Sequence, residues 1–450
     1  MAVIKELCIL TPLEDYFCFS SFDASRLPDL VSASGIKGRG WTAFPAAEKW
    51  KMFAEAEGSE KEIICLISGD CAFSLMECNP SAVLVGVALT AKAFGISHVY
   101  MVSDRIVQIP EQFLGVEFIP FTIEHTLSSG EETKVIAAIE EDTPISRLEP
   151  PYPAEKGLFG RPTLFHSAEF FAHIPYICNG NNADTKLVKV CGGENTGVVE
   201  IMTGTPISEI LALAGCGSAK AVQLGGPTGV FLPSKDFVKT YTPGEIFTGD
   251  SSIRIIPAGS CMAQEVFRCV SEAYRSSCGK CVFCREGGYQ QYLIWKDIVS
   301  GKGLSADIRS IRTMARVMHG NAACGYGQSL GGMIESAMES FSDEIVQHIE
   351  QKKCPELVCP TMIKVYIAPD KCKGCGSCTT LCPEKAIAGG EGLIHVVNHD
   401  LCIGCLKCNA CPEGAVGRIS AKGLLPSLPE NPIPVGTFVP KKKGLQRRAK

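Results

Sequence analysis

The most apolar stretch of the chain, SAVLVGVALTAKAFGISHVYMV (81–102), is interrupted by Lys92 and His98. The pattern predicts a buried helix that runs into a strand, and the two polar breaks argue against a membrane span. Further on, GGYQQYLIWKDIVSGKG (287–303) and ADIRSIRTMARVMHG (306–320) carry helical patterning and predict a helical hairpin. LGGMIESAMES (330–340) predicts another helix. LIHVVNHD (393–400) reads as a strand. Four extended residues would set His395 and His399 roughly 13 Å apart, too far to share a metal ion. The N-terminal MAVIKELCILTPLEDYF lacks a basic start followed by a long apolar run, so a signal peptide is not expected. These features predict a cytoplasmic chain with no membrane span.

Composition changes this picture mainly through cysteine. A length of 450 residues predicts two to four domains, and 46% hydrophobic residues supply ample core. A net charge of -5 argues against nucleic-acid binding, and the basic KKKGLQRRAK after a Pro-rich stretch reads as a mobile tail. Of 24 cysteines, ten are scattered over residues 1–277 and fourteen crowd into 278–411, mostly at short spacings. Without a secretory signal this distribution points to metal coordination rather than disulfides.

CKGCGSCTTLCP (372–383) matches C-x2-C-x2-C-x3-C-P, a spacing that wraps three thiolates around a [4Fe-4S] cube and sends the fourth to a second cube. The second run is CIGCLKCNACP (402–412). Crossed ligation assigns Cys372, Cys375, Cys378 and Cys411 to one cube, and Cys402, Cys405, Cys408 and Cys382 to the other. The interval between Cys408 and Cys411 is one residue shorter than the pattern. Upstream, SCGKCVFCREG supplies Cys278, Cys281 and Cys284, and the helical hairpin brings back Cys324 of GNAACGYGQSL to complete a third cube. Zinc, which also accepts four thiolates, is the alternative there. Cys354 and Cys359 in KKCPELVCP read as inert buried thiols, with a structural zinc site shared with His348 as the alternative.

With these residues in view, the chain resembles the NADH-oxidising flavoprotein subunit of respiratory complex I and the diaphorase subunit of NAD-linked hydrogenases and formate dehydrogenases. PPYPAEKGLFGRPTL (150–164), AEFFAHIPY (168–176), VQLGGPTGVFLP (222–233) and SGEET (129–133) agree with it, and the likeness spans about residues 31–360. The resemblance implies an N-terminal extension (1–30), an α/β flavoprotein-like domain (31–180) and a β-grasp domain (181–240). It further implies a helical bundle holding one [4Fe-4S] cluster (260–352). A C-terminal two-cluster ferredoxin-like domain (353–423) and a Pro-rich, basic tail (424–450) complete the layout. Only Cys8 and Cys18 precede residue 31, so a thioredoxin-like [2Fe-2S] domain is not expected within the chain.

In that family, FMN and NAD(H) lie against a glycine loop of the form R-G-R-G-G-A-G-F-P-T-G-x-K-W. GIKGRGWTAFPAAEKW (35–50) keeps Gly38, Arg39, Gly40, Phe44, Pro45, Lys49 and Trp50, but replaces glycines with Trp41, Ala43 and Ala47. Added side chains crowd the cofactor or strain the turn. Of the acidic segment that should fall in CLISGDCAFS (65–74), only Asp70 remains; Leu127 stands where an aromatic is expected, and His166 and Ser167 replace paired asparagines. Glu131 and Glu132 persist. If the flavin site is retained, Gly38, Arg39, Gly40, Lys49, Glu131 and Glu132 are its binding residues. The glycines of GGPTG (225–229) read as a turn rather than a phosphate nest.

The leading expectation is an iron–sulfur electron-transfer subunit of a larger oxidoreductase, carrying electrons through three [4Fe-4S] clusters. The alternative is an active NADH-oxidising, FMN-dependent diaphorase that feeds those clusters. Implied partners are other redox subunits, among them a thioredoxin-like [2Fe-2S] subunit and a catalytic subunit or ferredoxin. A third expectation makes the clusters purely structural.

Overall fold

The computed structural model describes residues 9–13, 16–40, 43–58, 60–181, 184–216, 218–242 and 250–440. Cys8, Trp41 and the basic tail at 441–450, on which expectations were placed, lie outside the described residues. The chain divides into two compact units: Met1–Ala258 with Arg268–Tyr292 and Ile311–Ser340, and Gly259–Phe267 with Leu293–Ser310 and Phe341–Lys450.

The first unit begins with α1 (Leu27–Ser34), α2 (Ala46–Glu55), β1 (Glu62–Ile67), α3 (Gly69–Cys78), α4 (Pro80–Ala93) and β2 (His98–Ser103). β3 (Gln112–Phe113), β4 (Val116–Thr122), α5 (Glu132–Ile139), β5 (Thr163–Ser167) and α6 (Ala168–Cys178) follow. The strands form one sheet in the order β3-β4-β2-β1-β5. β1 is buried throughout and lies parallel to β2 and β5, the position its near-continuous apolar sequence EIICLI suits. β4 continues the parallel set beyond β2, and β3 closes the edge antiparallel. Strand order reverses between β1 and β5, which opens a crevice at their carboxyl ends. The expected helix-to-strand passage at 81–102 is α4 and β2. α4 packs against α6 at Gly86, where any Cβ would overlap the Phe171 carbonyl.

The chain continues with β6 (Thr185–Cys191), β7 (Gly197–Met202), β8 (Thr205–Pro206), α7 (Ile207–Leu213), β9 (Ala221–Leu224), β10 (Val230–Pro233), β11 (Thr240–Tyr241) and β12 (Ser252–Ile256), five of whose strands form a second sheet. Its order is β10-β9-β12-β6-β7, with β8 and β11 paired separately. β12 runs parallel to β6 and the other neighbours are antiparallel. Val188, Ile201, Ile207, Leu211, Val222 and Ile253 fill the core beneath α7. The sheet thus uses Ser252–Ile256, beyond residue 240. The GGPTG glycines make the β9–β10 turn: Gly225 and Gly226 stand at φ 98° and 74°. Four helices follow in the chain: α8 (Met262–Arg275), α9 (Val282–Val299), α10 (Ser305–Asn321) and α11 (Gly325–Ser340). The expected hairpin is α9 and α10. Within the first unit, Phe231 of β10 donates its N–H to Ser336 Oγ of α11 at 3.0 Å.

The second unit contains α12 (Ser342–Val346), β13 (Ile363–Ile367), α13 (Ser377–Leu381), β14 (Ile387–Ala388), β15 (Leu393–Ile394), β16 (Val396–Val397), β17 (Val416–Ser420) and β18 (Ile433–Pro434). β13 pairs with β17, β14 with β16 and β15 with β18, all antiparallel. Ile363, Val365, Ile367, Ile394 and Val397 share a core with Cys372, Cys378 and Cys408. The single strand expected over 393–400 instead breaks at His395 into β15 and β16, which pair with different partners. No single helix among the described residues is long and apolar enough to cross a membrane.

Candidate functional site

The crevice at the ends of β1 and β5 holds two cavities, of about 360 and 390 Å³. Gly38, Arg39, Gly40, Lys49, Glu131 and Glu132, the six flavin-site candidates, all line the first, as does Cys324. Arg39 and Gly40 also line the second, with Asp70 and Leu127. The glycine loop closes through a 2.8 Å bond from the Gly38 N–H to the Phe44 carbonyl. Ala43, standing where the related loops carry glycine, is at φ 45°, a conformation that costs an L-residue energy.

Most polar groups of this crevice are already engaged. Lys49 forms an ion pair with Glu132 and also donates to the Phe165 carbonyl at 2.8 Å. Glu131 caps α5, accepting from the N–H groups of Thr133 and Lys134 at 3.2 and 2.9 Å. His166 accepts from Trp50 Nε1 at 3.0 Å and stacks on Phe170 with ring centroids 3.7 Å apart. Burial, aided by the Lys49 charge, drives the His166 pKa well below its ordinary value. Asp70 pairs with Arg105 at 2.9 Å and with Lys189, and these bonds hold its carboxyl below the usual range. Burial, then repulsion from Glu132 and Glu131, pushes Glu149 up to about 7.

Arg39 differs. Its side chain is fully buried and Nη2 donates to Asp184 at 2.8 Å. Nε and Nη1 have no hydrogen-bond partner among the described residues. Buried guanidinium nitrogens without partners are costly, and an anionic group satisfies them. Arg39, which lines the crevice, thus keeps two buried donors without partners among the described residues. Lys49, Glu131 and Glu132, expected to hold a flavin, are bonded to the protein itself.

The first cysteine set sits where α9 and α11 begin. Cys278 and Cys281 precede α9, Cys284 lies in its first turn, and Cys324 immediately precedes α11. Gly327 permits the approach: a Cβ there would lie 2.7 Å from Ala322 Cβ and 3.2 Å from Cys284 Cβ. Tyr326 Oη anchors the start of α11 by donating to the Ala273 carbonyl at 2.7 Å. Burial pushes the Cys284 thiol up to about 12, and the sulfurs of Cys281, Cys324 and Cys278 push the same way. Burial also raises Cys324, against the N–H groups of Gly327 and Tyr326 that favour its thiolate.

In the second unit, cysteines of both runs share one core. Burial pushes the Cys378 thiol up to about 11, and its neighbouring sulfurs are Cys372, Cys411 and Cys375. Cys408 is raised by burial and by Cys402, Cys405 and Cys382. The short Cys408–Cys411 interval spans a 3-10 turn at Lys407–Ala410. A small cavity lined by Cys382, Cys402, Cys405 and Cys408 occupies the middle of one set.

A further group was only half visible in the sequence. Cys261, His348, Cys354 and Cys359 are all buried, with one ligand atom from each inside a span of 4.8 Å. It is the one such group among the described residues. His348 Nε2 lies 3.1 Å from Cys261 Sγ and 3.5 Å from Cys359 Sγ. Its Nδ1 donates to the Glu344 carbonyl at 2.7 Å, which fixes the tautomer and turns Nε2 towards the sulfurs. Burial opposes a charge on this ring, yet the sulfurs of Cys261 and Cys354 hold its pKa up to about 10. The thiol of Cys354 is held far below its usual range by hydrogen bonds from Cys261 and Cys359. Cys354 and Cys359 are thus not isolated: they lie with Cys261 and His348 in one buried group. Cys261 stands 87 positions before His348, and no spacing rule connects them.

Two family descriptions match parts of the chain. Residues 264–348 match the NADH-ubiquinone oxidoreductase-F iron-sulfur binding region, and residues 365–388 match a 4Fe-4S binding domain. The chain is 29% identical to the NADP-reducing hydrogenase subunit HndC of Solidesulfovibrio fructosivorans, over 85% of this chain and 90% of that one. It is 25% identical to an F-type subunit of the NADH-quinone oxidoreductase of Rhizobium meliloti, over 74% and 91%. A crystal structure of an NAD+-reducing [NiFe]-hydrogenase superposes with a TM-score of 0.68 at 20% identity. That match covers 76% of this chain and 66% of the other, just under two thirds of its length, and shows a shared mixed α/β fold. The resemblance read from the motifs is thus to proteins of the named kinds, and the chain carries a 4Fe-4S binding region and a ferredoxin-type domain.

Proposed function

We propose that this chain is an iron–sulfur electron-transfer subunit of a multi-subunit oxidoreductase, with three [4Fe-4S] clusters held by the three cysteine sets. The ligands are Cys278, Cys281, Cys284 and Cys324; Cys372, Cys375, Cys378 and Cys411; and Cys402, Cys405, Cys408 and Cys382. The observation that supports the reading is the cavity lined by Cys382 of the first run together with Cys402, Cys405 and Cys408 of the second. When bound, such clusters supply one-electron transfer. The chain's part is to supply thiolates, exclude water from Cys284, Cys378 and Cys408, and leave Cys375 and Cys405 exposed towards a redox partner. Suitable partners are a thioredoxin-like [2Fe-2S] subunit and a catalytic subunit or ferredoxin.

Cys261, His348, Cys354 and Cys359 fit a structural zinc ion in the same reading. A tetrahedral ion with thiolates at about 2.3 Å keeps its ligand atoms about 4 Å apart, within the span observed, whereas a cube spreads its thiolates more widely. The carbonyl of Glu344 behind His348 supplies the usual outer support.

The unpartnered Nε and Nη1 of Arg39 favour a second reading of the crevice, in which a phosphate-bearing cofactor binds and the chain is an FMN-dependent NADH-oxidising diaphorase. Combined iron, zinc and flavin analysis of the purified chain separates the two. About twelve irons and one zinc without flavin support the electron-transfer reading. Stoichiometric flavin with NADH-driven dye reduction establishes the diaphorase, and zinc in place of iron overturns both.

A further inference from the structure

The two ferredoxin-type cysteine sets are not equivalent. His395, at the break between β15 and β16, is 2% exposed, and its Nδ1 lies 3.6 Å from Cys372 Sγ. A ligating thiolate has no proton, so it can only accept, and the imidazole must carry its hydrogen on Nδ1. This leaves Nε2 as a buried acceptor, and it has no partner among the described residues. An unsatisfied buried nitrogen lowers stability, so a fold optimised for stability alone would not place the ring here. Space has nonetheless been made for it: Gly389 stands at φ 155°, and a Cβ there would overlap the imidazole.

With Cys375 as a ligating thiolate, Ser377 Oγ, 3.5 Å from its Sγ, is a second side-chain donor to the same set. In the other set, the Ala386 N–H reaches Cys382 Sγ at 3.3 Å. No side-chain donor reaches Cys402, Cys405, Cys408 or Cys382 among the described residues.

From this asymmetry we infer that His395 is a potential-setting residue: its Nδ1–H donates to Cys372 and makes the cluster of that set the easier of the two to reduce. The inference rests on the proposed ligation by Cys372, Cys375, Cys378 and Cys411. Reduction adds an electron whose charge spreads onto the ligand sulfurs, and a donor at a sulfur stabilises that charge. No proton moves; one electron enters from an external donor and His395 keeps its hydrogen. Electrons entering the ferredoxin domain would settle on the Cys372 side, giving the pair of clusters a direction.

The test is an EPR-monitored dithionite titration of the full chain, wild type against His395→Leu and His395→Asn. The Asn amide can place a donor where Nδ1 stood. In His395→Leu, one ferredoxin cluster should show an about tenfold lower reduced-to-oxidised ratio at a fixed potential, or about 59 mV for a one-electron couple. The other cluster should stay put and serve as the folding control. His395→Asn should restore most of the shift, and Cys375→Ser should alter the signal of the cluster that moved. With 15N-histidine, pulsed EPR of the reduced wild type should show a weak nitrogen coupling that His395→Leu abolishes. Two wild-type clusters with neither potential moved, or His395→Asn shifting as far as His395→Leu, would overturn the inference alone. Absence of both ferredoxin-type signals from the wild type would overturn the ligation reading and this inference with it.

Discussion

Arg39 and Asp184 meet at 2.8 Å, but they share the contact unequally: the arginine side chain is fully buried and the aspartate is 54% exposed. Removing the two ends should therefore have different costs. Asp184→Asn leaves a buried guanidinium without its counter-charge, and should destabilise by about 2 kcal/mol, below the full buried-pair range because Asp184 is half in water. Arg39→Met removes the charge and the unpartnered Nε and Nη1 together, and should cost less than Asp184→Asn. Urea unfolding midpoints of the two variants measure the order. If Arg39→Met is the more damaging, the guanidinium is satisfied in a way that the described residues do not reveal.

Gly327 sets the approach of Cys284 to the loop carrying Cys324. A methyl group at this position would lie 2.7 Å from Ala322 Cβ, so Gly327→Ala should overpack the junction by about 1–3 kcal/mol. Under the proposed ligation, the expected consequence is selective: iron content falls by about four atoms per chain, one cluster's complement, while the ferredoxin-type EPR signals persist. Iron analysis with EPR on the same sample checks this. Uniform loss of all signals would show that the substitution acts on folding as a whole.

The sequence was most legible where chemistry forces a local spacing. The first ferredoxin-type run stands out because a loop around a cube needs fixed intervals, and it falls in the stretch that matches a 4Fe-4S binding domain. The buried helix that runs into a strand over 81–102 was equally plain, because a long apolar run suits few other environments. Cys261 escaped notice because its partners come from a distant part of the chain, where only the tertiary fold brings them together. The break at His395 was hidden by an apolar strand-like pattern around it; the two halves pair with different strands, and the buried ring between them lies 3.6 Å from Cys372 Sγ. Lys49 and Glu132 stand at positions of the flavin-site motif, and the motif alone gives no other reason for them. Their pairing with each other supplies one that requires no flavin.

The zinc assignment makes a prediction independent of iron. Cys354→Ser should lower bound zinc from about one per chain to near zero and leave the iron content unchanged. Loss of a structural metal belongs to the small class of large single-site effects, so the thermal unfolding free energy should fall by about 4 kcal/mol or more. Metal analysis and calorimetry on one preparation test both parts. A Cys354→Ser protein that retains wild-type stability would return Cys354 to the status of an inert thiol.

His173 supplies a pH dependence with a defined sign. It is 3% exposed, its Nδ1 donates to the Glu169 carbonyl at 2.7 Å, and Nε2 faces the Thr185 hydroxyl at 3.1 Å. Burial, reinforced by the nearby Arg39 charge, lowers its pKa to about 4. The unfolded chain binds this proton near pH 6.5 and the folded chain does not, so protonation favours unfolding. The stability contribution is complete above about pH 6.5 and is lost progressively as the pH falls towards about 4. Between about pH 7 and pH 5 the loss from this one group amounts to about 2 kcal/mol. His173→Gln removes the titration while His166, another buried histidine, remains in both proteins and cancels in the comparison. Urea unfolding at the two pH values should show the wild type losing about 2 kcal/mol more than the variant. Equal losses would mean that water or a proton acceptor reaches His173 in the folded protein.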